Sequence, residues 1–112
     1  MTEIEGIWRL DFYGSHGWET VGTLTLSAGR VSGGSITHFT SGSYSVDGEA
    51  ITMQTVVNFY GSHKPFFGNR SNTIAVTLEG RVDGDTITGE ETSPDGPGYS
   101  YTARLTRQAG LG

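Results

Sequence analysis

The chain has 112 residues, which is the length of one domain with a single hydrophobic core over 1–112. Hydrophobic residues make up 34% of the sequence and charged residues 17%, so the low apolar content is balanced by Ser, Thr and Gly, without the high charge that accompanies disorder. The net charge of −5, with seven scattered Lys and Arg residues, argues against direct binding of nucleic acid, and the absence of cysteine excludes disulfides and thiolate metal sites.

The N-terminal segment and the apolar runs indicate where the protein works. Residues 1–5 are acidic and lack the apolar stretch of a secretion signal. No apolar run approaches the length that spans a bilayer. We therefore expect a cytoplasmic protein without membrane contact.

Apolar and polar residues alternate in steps of two along nearly the whole chain, which is the pattern of half-buried β-strands. In the second segment, this alternation places Trp18 on the same face as Leu24 and Leu26. No window has helical apolar spacing. The pattern predicts eight strands, at 5–13, 18–27, 30–35, 37–46, 50–60, 72–82, 86–92 and 98–107.

Short connections between these segments predict the topology. Asp47-Gly48 and Asp83-Gly84 suit tight hairpin turns, because Gly and Asp tolerate positive φ. Eight short strands joined mainly by such turns form an up-and-down meander, and closing the meander removes its exposed edges. We therefore predict an all-β, eight-stranded antiparallel barrel of the lipocalin or calycin type, ordered over about 5–107, with a two-sheet sandwich as the rival. Mid-strand glycines favour the barrel, since tightly coiled strands bend at glycine.

One connection, 60–71, is too long for a hairpin turn, and loops of this length in a compact domain are usually functional or mobile. It carries Phe66 and Phe67 behind Pro65. These rings either cap the mouth of the barrel or form an apolar contact for a ligand or partner.

The pentapeptide Phe-Tyr-Gly-Ser-His occurs at 12–16 and again at 59–63, on strands predicted to run the same way. His16 and His63 should therefore lie at one end of the barrel. They either bind a metal together with an acidic third ligand or are two solvated turn residues, and we favour the second. We expect His38, which precedes Phe39 in a strand, to lie on the surface.

No arrangement of residues typical of catalysis is present. Ser15 and His16 are sequence neighbours, which is not the geometry of a nucleophile and its base. Glu90 and Glu91 are adjacent, so they point to opposite faces of a strand, and we interpret both as solvated acids. We predict no catalytic residue, no metal site and no cofactor.

Aromatic and apolar residues on the inward positions either fill the core or line a cavity for a small apolar ligand. The candidates for such a cavity are Trp8, Leu10, Phe12, Trp18, Phe59 and Tyr101.

Several short motifs follow one another in a characteristic order along the chain. They are Gly6-Ile7-Trp8, the glycine-rich stretch 29–34, Gly42-Ser43-Tyr44 and the acidic turn region 80–89. In this order and spacing the chain resembles a family of small bacterial proteins typified by GrlR, the negative regulator of type III secretion gene expression.

The resemblance implies a lipocalin-like barrel, commonly dimeric, with an apolar cavity and no enzymatic activity. In the type protein, a surface run of four acidic residues binds a transcriptional activator. The matching positions here include Asp47 and Glu49, so two of the four are acidic. We therefore expect a non-enzymatic regulatory protein whose partner surface includes Asp47, Glu49, Phe66 and Phe67. The alternative is a carrier or sensor of a small apolar ligand.

Overall fold

The computed structural model describes residues 4–110, so the ends of the predicted domain, 1–3 and 111–112, lie outside the described residues. Eight strands form the fold: β1 (Gly6–Gly14), β2 (Gly17–Ser27), β3 (Arg30–Gly34), β4 (His38–Asp47), β5 (Ala50–Phe59), β6 (Thr73–Asp83), β7 (Thr86–Thr92) and β8 (Ser100–Ala109). Every predicted strand is present, and its bounds differ by at most two residues from the prediction. Within residues 4–110, no helix is long and apolar enough to cross a membrane.

The strands close into a single antiparallel barrel. Each strand pairs with the next in sequence, and β8 pairs with β1, so the order β1 to β8 runs once around the barrel. This confirms the eight-stranded up-and-down barrel, and the rival two-sheet sandwich is wrong. Because every strand has a neighbour on both sides, neither edge of the meander remains exposed.

The connections divide between two ends of the barrel. The turns at 28–29, 48–49 and 84–85 lie at one end, which we call the closed end. Gly48 and Gly84 occupy the first positions of their turns with φ of 63° and 59°, values that favour glycine. The remaining four connections, including the long one after β5, lie at the opposite end, which we call the mouth.

The closed end is filled by the largest side chain of the core. Trp8 is fully buried, its Nε1–H donates a hydrogen bond to the carbonyl oxygen of Ile4 at 3.0 Å, and the Arg107 guanidinium lies 4.5 Å from its ring centroid. Packed around this region are fully buried aliphatic side chains of the neighbouring strands, Leu26, Val31, Ile51, Ile87 and Leu105. Burial of each such side chain contributes about 1.5–3 kcal/mol, so this end supplies much of the stability.

A bulge in β2 changes which residues face inward. Leu10 of β1 pairs with Gly22, but the next residue, Asp11, pairs with Thr20, so Val21 has no partner on β1. One extra residue reverses the inside–outside alternation from that point on. Trp18 therefore points outward and is 40% exposed. The prediction that it shares the inner face with the leucines of β2 is wrong.

Candidate functional site

The mouth half of the barrel encloses a cavity of about 720 Å³. Its size follows from the inward residues there, because Gly22, Thr40 and Thr55 are small, whereas a tryptophan fills the closed end. Most of the wall is apolar, with Leu24, Met53, Val57, Val76 and Leu78 among its residues. A volume of this size is typical of sites for small molecules, which span roughly 300–1,000 Å³.

Four of the six residues predicted for an apolar cavity line it. Leu10, Phe12, Phe59 and Tyr101 all contribute to the wall. For Trp8 and Trp18 the prediction is wrong. Trp8 is buried in the packed core at the closed end, and Trp18 lies on the outer face because of the bulge in β2.

The loop 60–71 folds over the mouth. Phe66 lines the cavity, and its ring stacks on those of Phe12 and Tyr101, with centroids 6.0 and 5.4 Å away. Phe67 is 1% exposed, and its backbone N–H lies 3.4 Å from the Tyr101 hydroxyl oxygen, to which it donates. Phe67 is thus part of the core, and its prediction as a surface contact for a partner is wrong. The capping alternative holds for both rings.

A second loop holds this cap in place. Gly96 lies against the backbone of Phe67, so closely that a Cβ at position 96 would stand 2.0 Å from the Phe67 carbonyl oxygen. Near Gly96, the carboxylate of Asp95 accepts a hydrogen bond from the backbone N–H of Ala75 at 2.8 Å, and the Ser93 hydroxyl donates to the Ala75 carbonyl. Pairing of β6 with β7 begins only at Thr77, so the backbone N–H and C=O of Ala75 have no partner on β7. The Asp95 and Ser93 side chains provide the hydrogen bonds instead.

Glu91 is a cavity residue whose interpretation from the sequence is wrong. It lies on the inner face of β7, lines the cavity and is 6% exposed, whereas we expected a solvated acid. Within residues 4–110 its carboxyl group has no hydrogen bond or ion pair. Burial raises the pKa of Glu91 from its ordinary value of 4.5 to about 8. The signal was present in the sequence, because Glu91 lies four residues after Ile87 and therefore on the same inward face.

His38 also faces the cavity, contrary to the expectation of a surface position. It pairs with Phe59 across β4 and β5, and the two rings lie 5.6 Å apart. Burial lowers the pKa of His38, so its environment favours the neutral ring. The neighbouring Phe39 points outward instead and is 44% exposed.

The two repeated histidines lie at the mouth, as their strands require, but they have different surroundings. His63 stacks on Phe59 with ring centroids 3.7 Å apart, and its Nε2 lies 2.8 Å from the Ser71 carbonyl oxygen. His16 is exposed in the turn after β1. In the described part of the chain, no group of three or more His, Cys, Asp or Glu side chains is arranged to hold a metal ion.

Asp47 ends β4 and Glu49 lies in the turn that follows it, so both are exposed at the closed end. Glu49 pairs with Arg81 at 2.7 Å, and both side chains are largely exposed. β5 separates this turn from loop 60–71, and a strand of that length spans about 30 Å. The two parts of the predicted partner surface therefore lie at opposite ends of the barrel.

An ion-pair cluster forms on the outer face near the bulge. Asp11 is 2% exposed, accepts a hydrogen bond from Thr20 at 2.7 Å, and pairs with Arg9 at 3.2 Å and Arg104 at 3.4 Å. Burial alone would raise the pKa of Asp11, but the hydrogen bonds from Thr20, Arg104 and Arg9 outweigh it and hold that pKa below its ordinary 3.8. Arg104 also lies 4.1 Å from the ring centroid of Trp18.

Comparison with known proteins gives no further constraint, since no protein-family model matches the chain and no curated protein matches its sequence. Membership of the GrlR-like family therefore stays a prediction.

Proposed function

We propose that this barrel binds a small, mainly apolar ligand in its mouth cavity and acts as a carrier or sensor of that ligand, without changing it chemically. The observation that supports the proposal is the cavity of about 720 Å³, walled mostly by apolar side chains. A ligand inside would remove apolar surface from water on both partners, at about 25 cal/mol for each Å² buried. The aromatic cap formed by Phe66 adds a covering surface at the mouth.

Titration of the protein with 1-octanol and 1-dodecanol tests this function directly. Binding is measured by isothermal titration calorimetry and by the rise in melting temperature that mass action requires, about 2.7 kcal/mol of stabilisation when the ligand is at a hundred times its Kd. Thr40→Phe places a large ring in the cavity and should abolish binding. Thr88→Phe, on the exposed outer face of β7, is the matched control and should bind as the wild type does. If the wild type binds neither 1-octanol nor 1-dodecanol, the proposal is refuted.

Regulation of a transcriptional activator through Asp47 and Glu49 stays a prediction from the resemblance. Both carboxylates are exposed, so they are available to a partner, although Glu49 already has Arg81 as an ion-pair partner. A variant combining Asp47→Ala with Glu49→Ala should lose a protein partner that co-purifies with the wild type, at an almost unchanged melting temperature. Asp83→Ala, in the exposed acidic turn region of the same end, is the control. Retention of the partner by the double variant would remove these residues from that role.

The homodimer and the cytoplasmic location also stay predictions. Native mass spectrometry of untagged protein from its own host tests the first and reports any retained small ligand in the same spectrum. A monomeric mass would contradict the dimer.

A further inference from the structure

The cavity contains a carboxyl group for which the described protein provides no partner. Glu91 points inward from β7, lines the cavity and is more than nine-tenths buried. No hydrogen bond or ion pair of its side chain exists within residues 4–110. Buried carboxyl groups in proteins are nearly always hydrogen-bonded or paired. An unpartnered one that faces an open cavity therefore indicates that the cavity's occupant supplies the partner.

Within residues 4–110, no arginine near the mouth half of the barrel forms an ion pair with Glu91, and Arg70 of loop 60–71 is exposed. Arg9 and Arg104 both pair with Asp11 on the outer face, on the other side of the barrel wall. Lys64 lines the cavity from the capping loop, but it is exposed and lies beyond 4.0 Å of the Glu91 carboxylate. Glu91 therefore has no cation of the described protein within ion-pairing distance.

The wall of the cavity beside Glu91 is aromatic. Tyr101 is the direct cross-strand neighbour of Glu91, and their side chains share the inner face. The Tyr101 ring lies 5.3 Å from Phe12 and 5.4 Å from Phe66, so three aromatic rings cluster at this part of the wall. These rings stack on one another and form an apolar wall beside the carboxyl group. A buried carboxyl group next to an apolar aromatic wall suits a ligand with a cationic head group and an apolar body.

We infer that the ligand of this cavity is a lipophilic monoamine, whose ammonium group pairs with the Glu91 carboxylate beside Tyr101 and whose apolar body occupies the remaining volume. This inference rests on the proposed function, since it names the ligand class of the same cavity.

The charge balance of binding follows from the protonation states. Because burial raises the pKa of Glu91 to about 8, the empty protein at pH 7 carries the neutral acid. An ammonium ion that enters pairs with the carboxylate, so the proton of Glu91 leaves to solvent and about one proton is released for each amine bound. The other titratable groups lining the cavity are Glu19, His38, His63, Lys64 and Tyr101. Glutamine at position 91 keeps hydrogen-bonding groups but carries neither charge nor a releasable proton, so Glu91→Gln separates its effect from theirs.

The test compares octylamine with 1-octanol, which share an apolar chain and differ in the head group. Both are titrated into the full chain by calorimetry at pH 6 and pH 8, and at pH 7 in buffers of different ionisation enthalpy, which reports proton release. The proteins are the wild type, Glu91→Gln and Glu90→Gln. Glu90 is the adjacent residue on the outer face, where it accepts a hydrogen bond from Thr102.

We expect the wild type at pH 8 to bind octylamine at least about tenfold more tightly than 1-octanol, which is the effect of one added charge-assisted contact. Its affinity for octylamine should rise more than about tenfold from pH 6 to pH 8, as Glu91 gives up its proton, while its affinity for 1-octanol stays constant. Glu91→Gln should remove the amine preference, the proton release and this pH dependence together. Glu90→Gln should retain all three.

Equal binding of the two ligands by the wild type, or a preference for octylamine that persists in Glu91→Gln, would overturn the amine inference and leave the proposed function standing. Failure of both ligands to bind would overturn the proposed function as well. If Glu91→Gln does not fold, proton release by the wild type decides the matter. Release of about one proton with octylamine and none with 1-octanol supports the inference, and equal release with both overturns it.

Discussion

Replacing Glu91 by glutamine should stabilise the empty protein, and the gain should depend on pH. Glu91 is buried beside the cavity, and burial is the cause that raises its pKa from 4.5 to about 8. A group whose pKa is raised by folding disfavours the folded state wherever the unfolded chain would ionise it. Glutamine has nearly the same shape and does not titrate, so it removes this cost while keeping the packing.

The magnitude follows from the two pKa values. Below pH 4.5, Glu91 is protonated in both the folded and unfolded states, so its titration has no effect on stability. Between pH 4.5 and about 8, the unfolded chain releases the proton and the folded protein retains it, so stability falls as pH rises. Each pH unit in this window costs about 1.4 kcal/mol, which gives a deficit of about 3 kcal/mol at pH 7 and about 5 kcal/mol above pH 8.

The assay is urea unfolding of the wild type and Glu91→Gln at pH values from 4 to 9, with the difference in unfolding free energy plotted against pH. Taking the difference cancels every other group that titrates equally in both proteins. Glu90→Gln is the matched control, because Glu90 lies exposed on the outer face of the same strand. Its difference from the wild type should stay within about 0.5 kcal/mol at all these pH values, as is usual for surface changes.

A difference curve for Glu91→Gln that is flat between pH 5 and pH 8 would refute the reasoning. It would mean that Glu91 ionises in the folded protein at its ordinary pKa, which requires either solvent or a cation at its carboxyl group. The inference of an amine ligand would then lose the empty partner position on which it depends.

Three further predictions concern other parts of the fold. Gly42→Ala should cost about 1–3 kcal/mol of unfolding free energy by urea titration, because a Cβ there would lie 2.1 Å from the Gln54 carbonyl oxygen. Gly14→Ala is the control and should change the unfolding free energy little, since the nearest atom to a Cβ there is 4.0 Å away. Equal losses for the two variants would contradict this. Phe67→Ala should cost about 3–5 kcal/mol in the same assay, as expected for a ring that is 1% exposed, and a loss below about 1 kcal/mol would show that the loop does not cap the core. Asp11→Asn should cost about 1–3 kcal/mol at pH 7, because it removes the charge that pairs with two arginines. Since folding lowers the pKa of Asp11, this loss should shrink as pH falls below 3.8 and through the folded pKa, and a pH-independent loss would contradict the assigned cause.

The architecture was accessible from the sequence because its signals are local. Period-two alternation marked all eight strands, and Gly48 and Gly84 marked two tight turns where positive φ is needed. In an up-and-down barrel each strand pairs with its neighbour in sequence, so the pairing of β1 with β8 is the one long-range strand pair among the described residues. The fold therefore follows from local pattern together with the need to close the sheet.

The predicted site was only partly right, for reasons that are also physical. Alternation gives the face of a residue only until a bulge interrupts it, and the unpaired Val21 reversed the face of Trp18. For Phe67 no periodicity exists, since it lies in a loop whose position is set by packing against Tyr101 and Gly96. The position of Glu91 could have been read from Ile87, but the usual preference of carboxylates for solvent outweighed that pattern in the interpretation.

The two experiments on Glu91 constrain each other because they measure the same proton. The stability difference between the wild type and Glu91→Gln reports the pKa of Glu91 in the empty protein, as the pH at which the curve levels off near 8. The pH dependence of octylamine binding reports the same quantity, since the amine must displace that proton to form its ion pair. If the Glu91 carboxyl group binds the amine, the pKa from the stability curve and the pKa from octylamine binding agree within about one pH unit. Glu91→Gln is then more stable than the wild type and discriminates less between an amine and an alcohol. Disagreement between the two values would mean that another cavity group controls binding. His38 is then the first to replace, because it faces the same space and its pKa is lowered by burial.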